Sequence, residues 1–467
     1  MIDMEQLNEQ SLPPFAPMAI GASKASVDRS EGLFSSVSAE ENKFWVVAVN
    51  MGYGHQRTAY PLKRFAARGN IINANDYCGI TEKDKNIWDS TRGFYEFISR
   101  FKKIPLIGDI AFRIYDKFQE IPSFYPKRDL SKPTIGLDYI YSMIKNGWGK
   151  DLILKIGDSA IPLVSTFFIP AFMAEEFGYP GEIFCVICDT DVSRTWADLN
   201  PAKSRIKYFA PNSWVVNRLK LYGVKEENIF LTGYPLPLEN IGTRQMEVLK
   251  NDLAKRILNL DIDGEYRRKY GVLIKRHLGT LPEKSGRPFT IMFSIGGAGA
   301  QKEIVVKYLA NLAEKIKNGE AKAIVSVGTR KEIRDYFIKK AIQFGLGNFL
   351  GAGMEIIFAE TIEEYFKIFN QKLREADILW TKPSELSFYS GLGLPIIIAP
   401  SIGSQEDFNK KWILRIGAGI VQENPKYASQ WMQDYLKSGR FVEAAMAGFL
   451  KSEKLGTYNI ERICRGY

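Results

Sequence analysis

The histidine at position 55 stands where a side chain could meet a ligand. It is one of only two histidines in the chain, and it directly follows the turn Gly52-Tyr53-Gly54. Glycine lets a backbone approach a ligand closely, and the start of a helix attracts anionic groups. The residue types therefore fit a site for an anionic ligand. They fit equally well an ordinary strand–turn–helix with a histidine on the surface.

Polar residues also follow a strand-like segment in the second half of the chain. Ser384 and Glu385 come shortly after the run Ala376–Trp380, and Pro383 before them can occupy a first helical turn. A carboxylate at this position can accept hydrogen bonds from two hydroxyls of a sugar. An acid that only stabilises the start of a helix is an equally good interpretation.

A second polar group follows the next strand-like segment, Leu394–Pro400. It consists of Gln405, Glu406 and Asn409. Side chains that accept hydrogen bonds, or both donate and accept them, suit sugar hydroxyls. As the solvated start of a helix, the same three residues would be unremarkable.

A glycine-rich turn lies between a strand-like and a helix-like segment at Ser294–Lys302, with the sequence SIGGAGAQK. Successive backbone N–H groups in such a turn can cradle a phosphate. Its glycines, Gly296, Gly297 and Gly299, do not match the spacing of the dinucleotide-binding fingerprint. The turn by itself indicates an anion site without identifying the ligand.

These residues need a scaffold that brings distant strand ends together. From Phe44 to about Pro237, and again from Arg287, short apolar strands alternate with amphipathic helix-like segments. This alternation predicts parallel sheets flanked by helices, and such folds bind ligands at the carboxyl ends of their strands. We therefore predict an α/β fold with two facing, Rossmann-like, doubly wound domains and a cleft between them. The predicted boundaries are 1–42 for a mobile lead-in, 43–240 for the first domain, 241–286 for a charged helical connector, 287–430 for the second domain and 431–467 for C-terminal helices.

The composition excludes several classes of protein. The chain has 467 residues, 45% of them hydrophobic, and only four cysteines, so it is no disulfide scaffold. Cys185 and Cys188 lie in a strand-like run, which favours core residues over a redox motif. The net charge of +10 suits nucleic acid, an anionic membrane or anionic substrates, and no nucleic-acid motif is visible. With no leader-like or membrane-spanning segment, we expect a cytoplasmic protein.

One aromatic and basic segment, residues 81–130, fits an amphipathic surface that lies on a bilayer. Aromatic side chains alternate there with arginine and lysine. Helical packing on the first domain is the alternative interpretation. We favour peripheral contact with an anionic membrane.

Five segments occur in the order found in the monogalactosyldiacylglycerol synthases. They are MGYGHQRTA, CDTDVSRTW, the stretch Tyr208–Pro237, SIGGAGAQ and the stretch Thr381–Ile420. Over roughly Phe44–Val421 the chain resembles this family, the processive diacylglycerol glucosyltransferases and, more distantly, the N-acetylglucosaminyltransferase that forms lipid II. The resemblance implies a GT-B hexosyltransferase that uses a nucleotide sugar, expected to be a UDP-sugar, and a lipid acceptor at the membrane surface.

The resemblance also implies roles for individual residues. His55 matches the family's histidine and is expected to act as general base on an acceptor hydroxyl, since imidazole titrates near neutral pH. Asp189 and Asp191 are the other expected catalytic residues. Acceptor or phosphate contact is expected of Gly52, Tyr53, Gly54 and Trp196, and donor binding of Gly296, Gly297, Gly299, Lys382, Ser384, Glu385, Gln405, Glu406 and Asn409.

This chain departs from the family at two positions. The family has a histidine between its Asp and Trp, where this chain has Arg194 or a neighbour. Its ribose-binding glutamate falls on Phe388 here, so Glu385, one helical turn earlier, is the candidate substitute.

Three alternative functions stay open. They are a transferase with a soluble acceptor, a sugar-nucleotide epimerase, and a nucleotide-sugar-binding protein without activity. Asp189 and Asp191 form an Asp-x-Asp pair. In a different glycosyltransferase fold, which has a single sheet, a pair of this kind binds a divalent metal. Because two domains are predicted here, we expect no metal. We also expect no other cofactor, and no nucleic-acid partner because no nucleic-acid motif is visible.

Overall fold

The computed structural model describes residues 43–90, 120–157, 160–295, 301–401 and 404–466. Its first sheet has six parallel strands in the order β2-β1-β3-β4-β5-β6. Every residue of the first strand, FWVVA, is buried, as expected for an apolar run inside a parallel sheet. The strands are β1 (Phe44–Ala48), β2 (Ala66–Asn73), β3 (Leu163–Ser165), β4 (Ile183–Val186), β5 (Lys207–Ala210) and β6 (Ile229–Leu231).

The second sheet also has six parallel strands, in the order β12-β11-β10-β7-β8-β9. Numbered from its own first strand, this is the Rossmann order 3-2-1-4-5-6. Two such sheets with flanking helices confirm the predicted α/β, GT-B-type architecture. The strands are β7 (Phe289–Ser294), β8 (Ala321–Gly328), β9 (Met354–Phe358), β10 (Ile378–Thr381), β11 (Ile396–Ile398) and β12 (Gly419–Val421).

Helices connect these strands and cover both sheets. Asn212 and Thr361 begin two of them, each side chain accepting a hydrogen bond from the backbone N–H three residues later. The α-helices are α1 (Tyr53–Ala59), α2 (Ile135–Lys145), α3 (Lys150–Ile156), α4 (Phe168–Glu176), α5 (Ser213–Leu221), α6 (Leu238–Ile241), α7 (Glu247–Leu260), α8 (Glu265–Leu278), α9 (Lys302–Lys317), α10 (Lys331–Gln343), α11 (Ile362–Leu373), α12 (Ser404–Ile416), α13 (Ala428–Lys437), α14 (Arg440–Lys451) and α15 (Gly456–Cys464). Short 3-10 helices are Tyr60–Phe65, Arg194–Trp196, Glu226–Asn228, Gly347–Phe349, Glu385–Leu392 and Pro425–Tyr427.

The charged stretch after the first sheet packs onto the second sheet's domain. In α7, Arg256 is buried and its guanidinium donates to the carbonyls of Ala376, Leu392 and Gly393. The last helix, α15, instead returns to the first sheet, where Ile460 joins the core beside Phe44. Both sheets therefore belong to one compact unit, Asn42–Tyr467.

Both cysteines of the C-x-x-C are buried in the core, as predicted.

In the part of the chain that the structure describes, every helix is too short or too polar to cross a bilayer.

Candidate active site

The predicted site residues lie where the strand order of each sheet reverses. In the first sheet this switch point lies between β1 and β3, and Val47 pairs in register with Ser165. In the second it lies between β7 and β10, where Ser294 pairs with Thr381. Doubly wound sheets bind ligands in the crevice at this point. The register therefore places His55 beside the β3 turn, and Lys382 beside the start of the glycine-rich turn.

His55 is held in one orientation by the first domain. Its Nδ1 lies 2.7 Å from the carbonyl oxygen of Thr166, and its ring lies 4.7 Å from that of Phe167. Because a carbonyl only accepts hydrogen bonds, Nδ1 carries the proton and Nε2 is left as the acceptor. The Sγ of Cys188, two residues after β4, lies 3.5 Å from Nδ1.

Burial lowers the pKa of His55 from 6.5 to about 4, although the Thr166 carbonyl and Glu385 act in the opposite direction. The positive end of a helix would also lower the pKa of a histidine at its start. Helix α1 has only seven residues, and the main cause is desolvation. The imidazole is therefore neutral at physiological pH.

Gly52 shapes the turn before His55. Its φ of 97° lies in the region that favours glycine, and it is the residue that precedes α1. Tyr53 then crosses to the second domain, where its hydroxyl accepts a hydrogen bond from the backbone N–H of Thr329 at 3.1 Å. The ring centroid of the buried Trp196 lies 6.3 Å from that of His55.

Asp189 joins the two domains through Asn409. The Asn409 side chain donates to Asp189 Oδ1 at 3.2 Å and accepts from the backbone N–H and hydroxyl of Thr190 at 3.1 and 2.9 Å. Burial raises the pKa of Asp189 to about 6, opposed by the Asn409 hydrogen bond and reinforced by Glu385 and Glu406. Asp189 is thus the aspartate of the Asp-x-Asp pair that faces the second domain.

Asp191 has a different environment. Its two carboxylate oxygens accept from Nε and Nη2 of Arg218, both at 2.8 Å, and Trp214 Nε1 donates to it at 2.7 Å. Arg218 is 1% exposed, so the pair is buried. This bidentate pair holds Asp191 within the first domain, and its expected catalytic role stays a prediction. Arg194 is likewise bound to backbone carbonyls, including that of Ser131.

Glu385 forms an ion pair with the buried Arg57 across the domain boundary. Its Oε1 lies 3.1 Å from Nε of Arg57, which follows His55 by two residues in α1. Its Oε2 lies 3.6 Å from where a Cβ would stand on Gly54. The candidate donor carboxylate therefore packs directly against the turn that carries His55.

An aromatic cage of the second domain encloses Arg57. The guanidinium carbon lies 4.3 Å from the ring centroid of Phe369 and 4.6 Å from that of Phe366, both in α11. Tyr365 and Tyr389 lie within 6 Å. Arg57 is only 2% exposed, so this contact is part of the interior. Sequence reasoning missed it, because an aromatic stripe on a helix is typical of any core.

The other predicted donor residues lie on the second domain. Lys382, directly after β10, forms an ion pair with Glu406 in the first turn of α12. Ser384 accepts a hydrogen bond from the backbone N–H of Leu386 and so begins the 3-10 helix of Glu385. Gln405 lies in the first turn of α12, one turn before Asn409. These positions keep the donor role a prediction.

Two predictions concern regions outside the described residues. The glycines Gly296, Gly297 and Gly299 lie outside them, as does most of the segment 81–130. Among the described residues, no group of three or more His, Cys, Asp or Glu side chains is arranged to hold a metal ion. The expected absence of a metal stays a prediction.

Replacing Asn409 with alanine is expected to lower the free energy of unfolding by about 1–3 kcal/mol, because the buried Thr190 N–H then loses its acceptor. The same change removes a hydrogen bond that lowers the pKa of Asp189, so that pKa should rise further above about 6. Urea unfolding checks the first effect. Asn311→Ala, whose amide bonds only to its own helix at an exposed site, is the control and should cost less than about 0.5 kcal/mol. Equal losses in both variants would contradict the cross-domain role.

Comparisons with known proteins give distant similarities. A family described as a domain of unknown function, DUF6938, matches residues 282–348. No curated protein matches the chain in sequence. At these distances, no family membership follows for the whole chain.

Among solved structures, the chain is similar to the UDP-GlcNAc 2-epimerase of Neisseria meningitidis bound to UDP-GlcNAc, at 11% identity and a TM-score of 0.42, over 72% of this chain and 83% of that one. It is similar to Acinetobacter baumannii MurG at 12% identity and a TM-score of 0.41, over 71% and 78%. It is also similar to a glycosyltransferase of Rickettsia africae at 13% identity and a TM-score of 0.40, over 91% and 98%. Similarities this distant assign no activity to the chain.

Proposed function

We propose that the protein is a glycosyltransferase that moves a hexosyl group from a nucleotide sugar, expected to be a UDP-sugar, to a lipid acceptor at the membrane surface. One observation carries the proposal. The turn and helix that carry His55 meet Glu385 of the second domain through Gly54 and Arg57, and Asp189 bonds to Asn409 of the second domain. Sites of this kind hold a ligand between two domains.

In the proposed reaction His55 is the general base. Its Nδ1–H is held by the Thr166 carbonyl, so Nε2 would accept the proton of the acceptor hydroxyl. The low pKa keeps this nitrogen unprotonated, at the cost of weak basicity. A donor diphosphate nearby would favour the imidazolium and so raise that basicity when the substrates are bound.

The donor would lie against the second domain. Lys382 supplies a cation for the diphosphate, and Gln405 and Glu406 supply acceptors for hydroxyl groups. Backbone N–H groups of the glycine-rich turn that follows Ser294 would stabilise the negative charge that builds on the leaving diphosphate. Glu385 is bound by Arg57 and packs against the turn that carries His55. Its carboxylate would therefore lie between the donor and that turn, and would not be free to bind the hydroxyls of the ribose.

A sugar-nucleotide epimerase is the second candidate, and one observation favours it. Glu385 and Glu406 both raise the pKa of Asp189, so three carboxylates share one region beside His55. Paired carboxylates can exchange protons with a sugar carbon at pH values near 6.

Product analysis separates the two candidates. The protein is incubated with a panel of UDP-sugars, with and without membrane lipid extract, and the products are separated by chromatography. Release of UDP that depends on lipid supports the transferase. Conversion of the donor into its epimer without lipid supports the epimerase, and donor binding without either product indicates a binding protein.

The pH dependence of kcat/KM identifies the base. If His55 is the base, the acidic limb should fall near pH 4, because the imidazole is unprotonated above its pKa. A limb near pH 6 would instead assign the proton transfer to Asp189. The lowered pKa of His55 also makes folding stability decrease as the pH falls from about 6.5 towards 4, so thermal unfolding is measured at each pH as the control.

A further inference from the structure

A groove of about 560 Å³ lies at the opposite end of α12 from the candidate donor site. Gln405 lies in the first turn of this helix, and Arg415, which lines the groove, lies in its last turn. At a rise of 1.5 Å per residue, about 15 Å of helix separates the two. The first domain supplies the facing wall, with Leu231 at the end of β6 and Trp214 in the first turn of α5. The groove is therefore separate from the candidate donor site, and its lining comes from both domains.

A stack of aromatic side chains holds Arg415 at the wall of the groove. The guanidinium carbon lies over the ring of Trp214, 4.0 Å from its centroid, and Trp214 stacks on Phe124 at 4.1 Å. Trp214 is itself fixed by the hydrogen bond from its Nε1 to Asp191. A guanidinium that stacks on a ring keeps the N–H groups along its edge for a phosphate. Among the described residues, no carboxylate forms an ion pair with Arg415.

The remaining polar lining also suits an anion. The described lining contains two cations, Arg415 and Lys451, and one acid, Glu453, so that its net charge is +1. Ser452 lines the groove and is only 6% exposed, yet none of the described residues forms a hydrogen bond with its hydroxyl. A buried polar group without a partner is uncommon in proteins, and a ligand in the groove would supply one.

The start of α5 adds backbone donors to the same wall. Asn212, Ser213 and Trp214 line the groove as the residue before this nine-residue helix and its first two residues. The first N–H groups of a helix have no partner within the helix, and together they favour an anion. The Asn212 side chain accepts the N–H of Val215. The N–H groups of Ser213 and Trp214, which come before it, are therefore the ones that an anion in the groove can meet.

We propose that this groove binds a soluble phosphate monoester that carries an aromatic or other apolar group. Arg415 and Lys451 bind the phosphate, together with the N–H groups at the start of α5. The apolar group packs against Leu231 and the exposed Tyr125, which line the same groove. The site goes beyond the proposed transfer reaction. Its test needs no activity, so either proposal can fail without the other.

The test is calorimetric titration of the full chain with phenyl phosphate and with inorganic phosphate. Both are expected to bind, phenyl phosphate more tightly because its ring leaves water. Arg415→Gln/Lys451→Gln should weaken both by at least about tenfold, since charge-assisted hydrogen bonds are lost. Lys307→Gln/Lys339→Gln removes the same charge from exposed positions on α9 and α10 outside the groove, and should change neither affinity by more than about twofold. Equal losses in both variants, or no saturable binding of either probe, would overturn the proposal.

Two further variants locate the ligand. Leu231→Ser should weaken the binding of phenyl phosphate by about threefold or more and leave that of inorganic phosphate unchanged. Lys382→Gln/Glu406→Gln removes the ion pair of the candidate donor site and should leave both affinities unchanged. If this variant abolishes binding and Arg415→Gln/Lys451→Gln does not, the phosphate binds at the donor site and the proposal is wrong. Thermal unfolding confirms that each variant is folded.

Co-sedimentation with phosphatidylglycerol vesicles separates a soluble ligand from a lipid that carries the same phosphate chemistry. We expect Arg415→Gln/Lys451→Gln to lose the binding of the soluble phosphates. If neither soluble phosphate binds the unaltered protein, and the variant differs from it only in partitioning onto the vesicles, the ligand is a lipid and the proposal is wrong.

Discussion

Replacing His55 with alanine is expected to lower turnover by about 10²–10⁴-fold, the range that general-base assistance contributes. The physical reason is the orientation of the ring. Its Nδ1 lies 2.7 Å from the Thr166 carbonyl, which leaves Nε2 as the acceptor of the ring. The measurement is steady-state turnover with the nucleotide sugar and acceptor identified by product analysis.

Two controls make this result specific. His277→Ala removes the only other histidine, which lies in α8, and should leave turnover unchanged. Calorimetric titration with the donor should give nearly the same affinity for His55→Ala as for the unaltered protein. Near-normal turnover of His55→Ala would contradict the assignment and make Asp189 the better candidate for the base.

Replacing Arg57 with alanine is expected to lower the free energy of unfolding by about 3–5 kcal/mol. The change leaves Glu385 without its partner at a position where that side chain is only 13% exposed. It also empties the cage of Phe366 and Phe369, which lie 4.6 and 4.3 Å from the guanidinium. Urea unfolding at neutral pH gives the value.

Arg64→Ala is the matched control for this variant. Arg64 lies in the next 3-10 helix and is exposed, so its loss should cost less than about 0.5 kcal/mol. A double variant, Arg57→Leu/Glu385→Leu, leaves no unpaired charge and should recover most of the stability. A cost below about 1 kcal/mol for Arg57→Ala would show that the pair contributes little to the joining of the domains.

Local pattern was sufficient to predict the scaffold and the position of His55. The apolar run before Gly52 is a strand, the turn follows it, and parallel pairing of β1 with β3 then brings Thr166 to the ring. The same logic placed Glu385 after β10. In each case the end of a strand is visible in the sequence. The topology of a doubly wound sheet then brings the carboxyl ends of neighbouring strands together at one edge.

The pairings between these elements were beyond local pattern. Arg57 and Glu385 are 328 positions apart, and neither neighbourhood indicates that they meet. Asp189 and Asp191 are two residues apart and chemically alike, yet one bonds to Asn409 and the other to Arg218. Only the packing of distant helices decides which carboxylate faces the cleft.

The most direct test of the proposed function is transfer to lipid. A panel of nucleotide sugars is incubated with the protein and membrane lipid extract, and the lipids are analysed by mass spectrometry, with His55→Ala in parallel. We predict that one sugar, supplied as its UDP derivative, adds the mass of a hexosyl group to a lipid, and that His55→Ala largely abolishes this product. No hexosylated lipid with any donor, while the protein binds a nucleotide sugar, would contradict the proposed transfer.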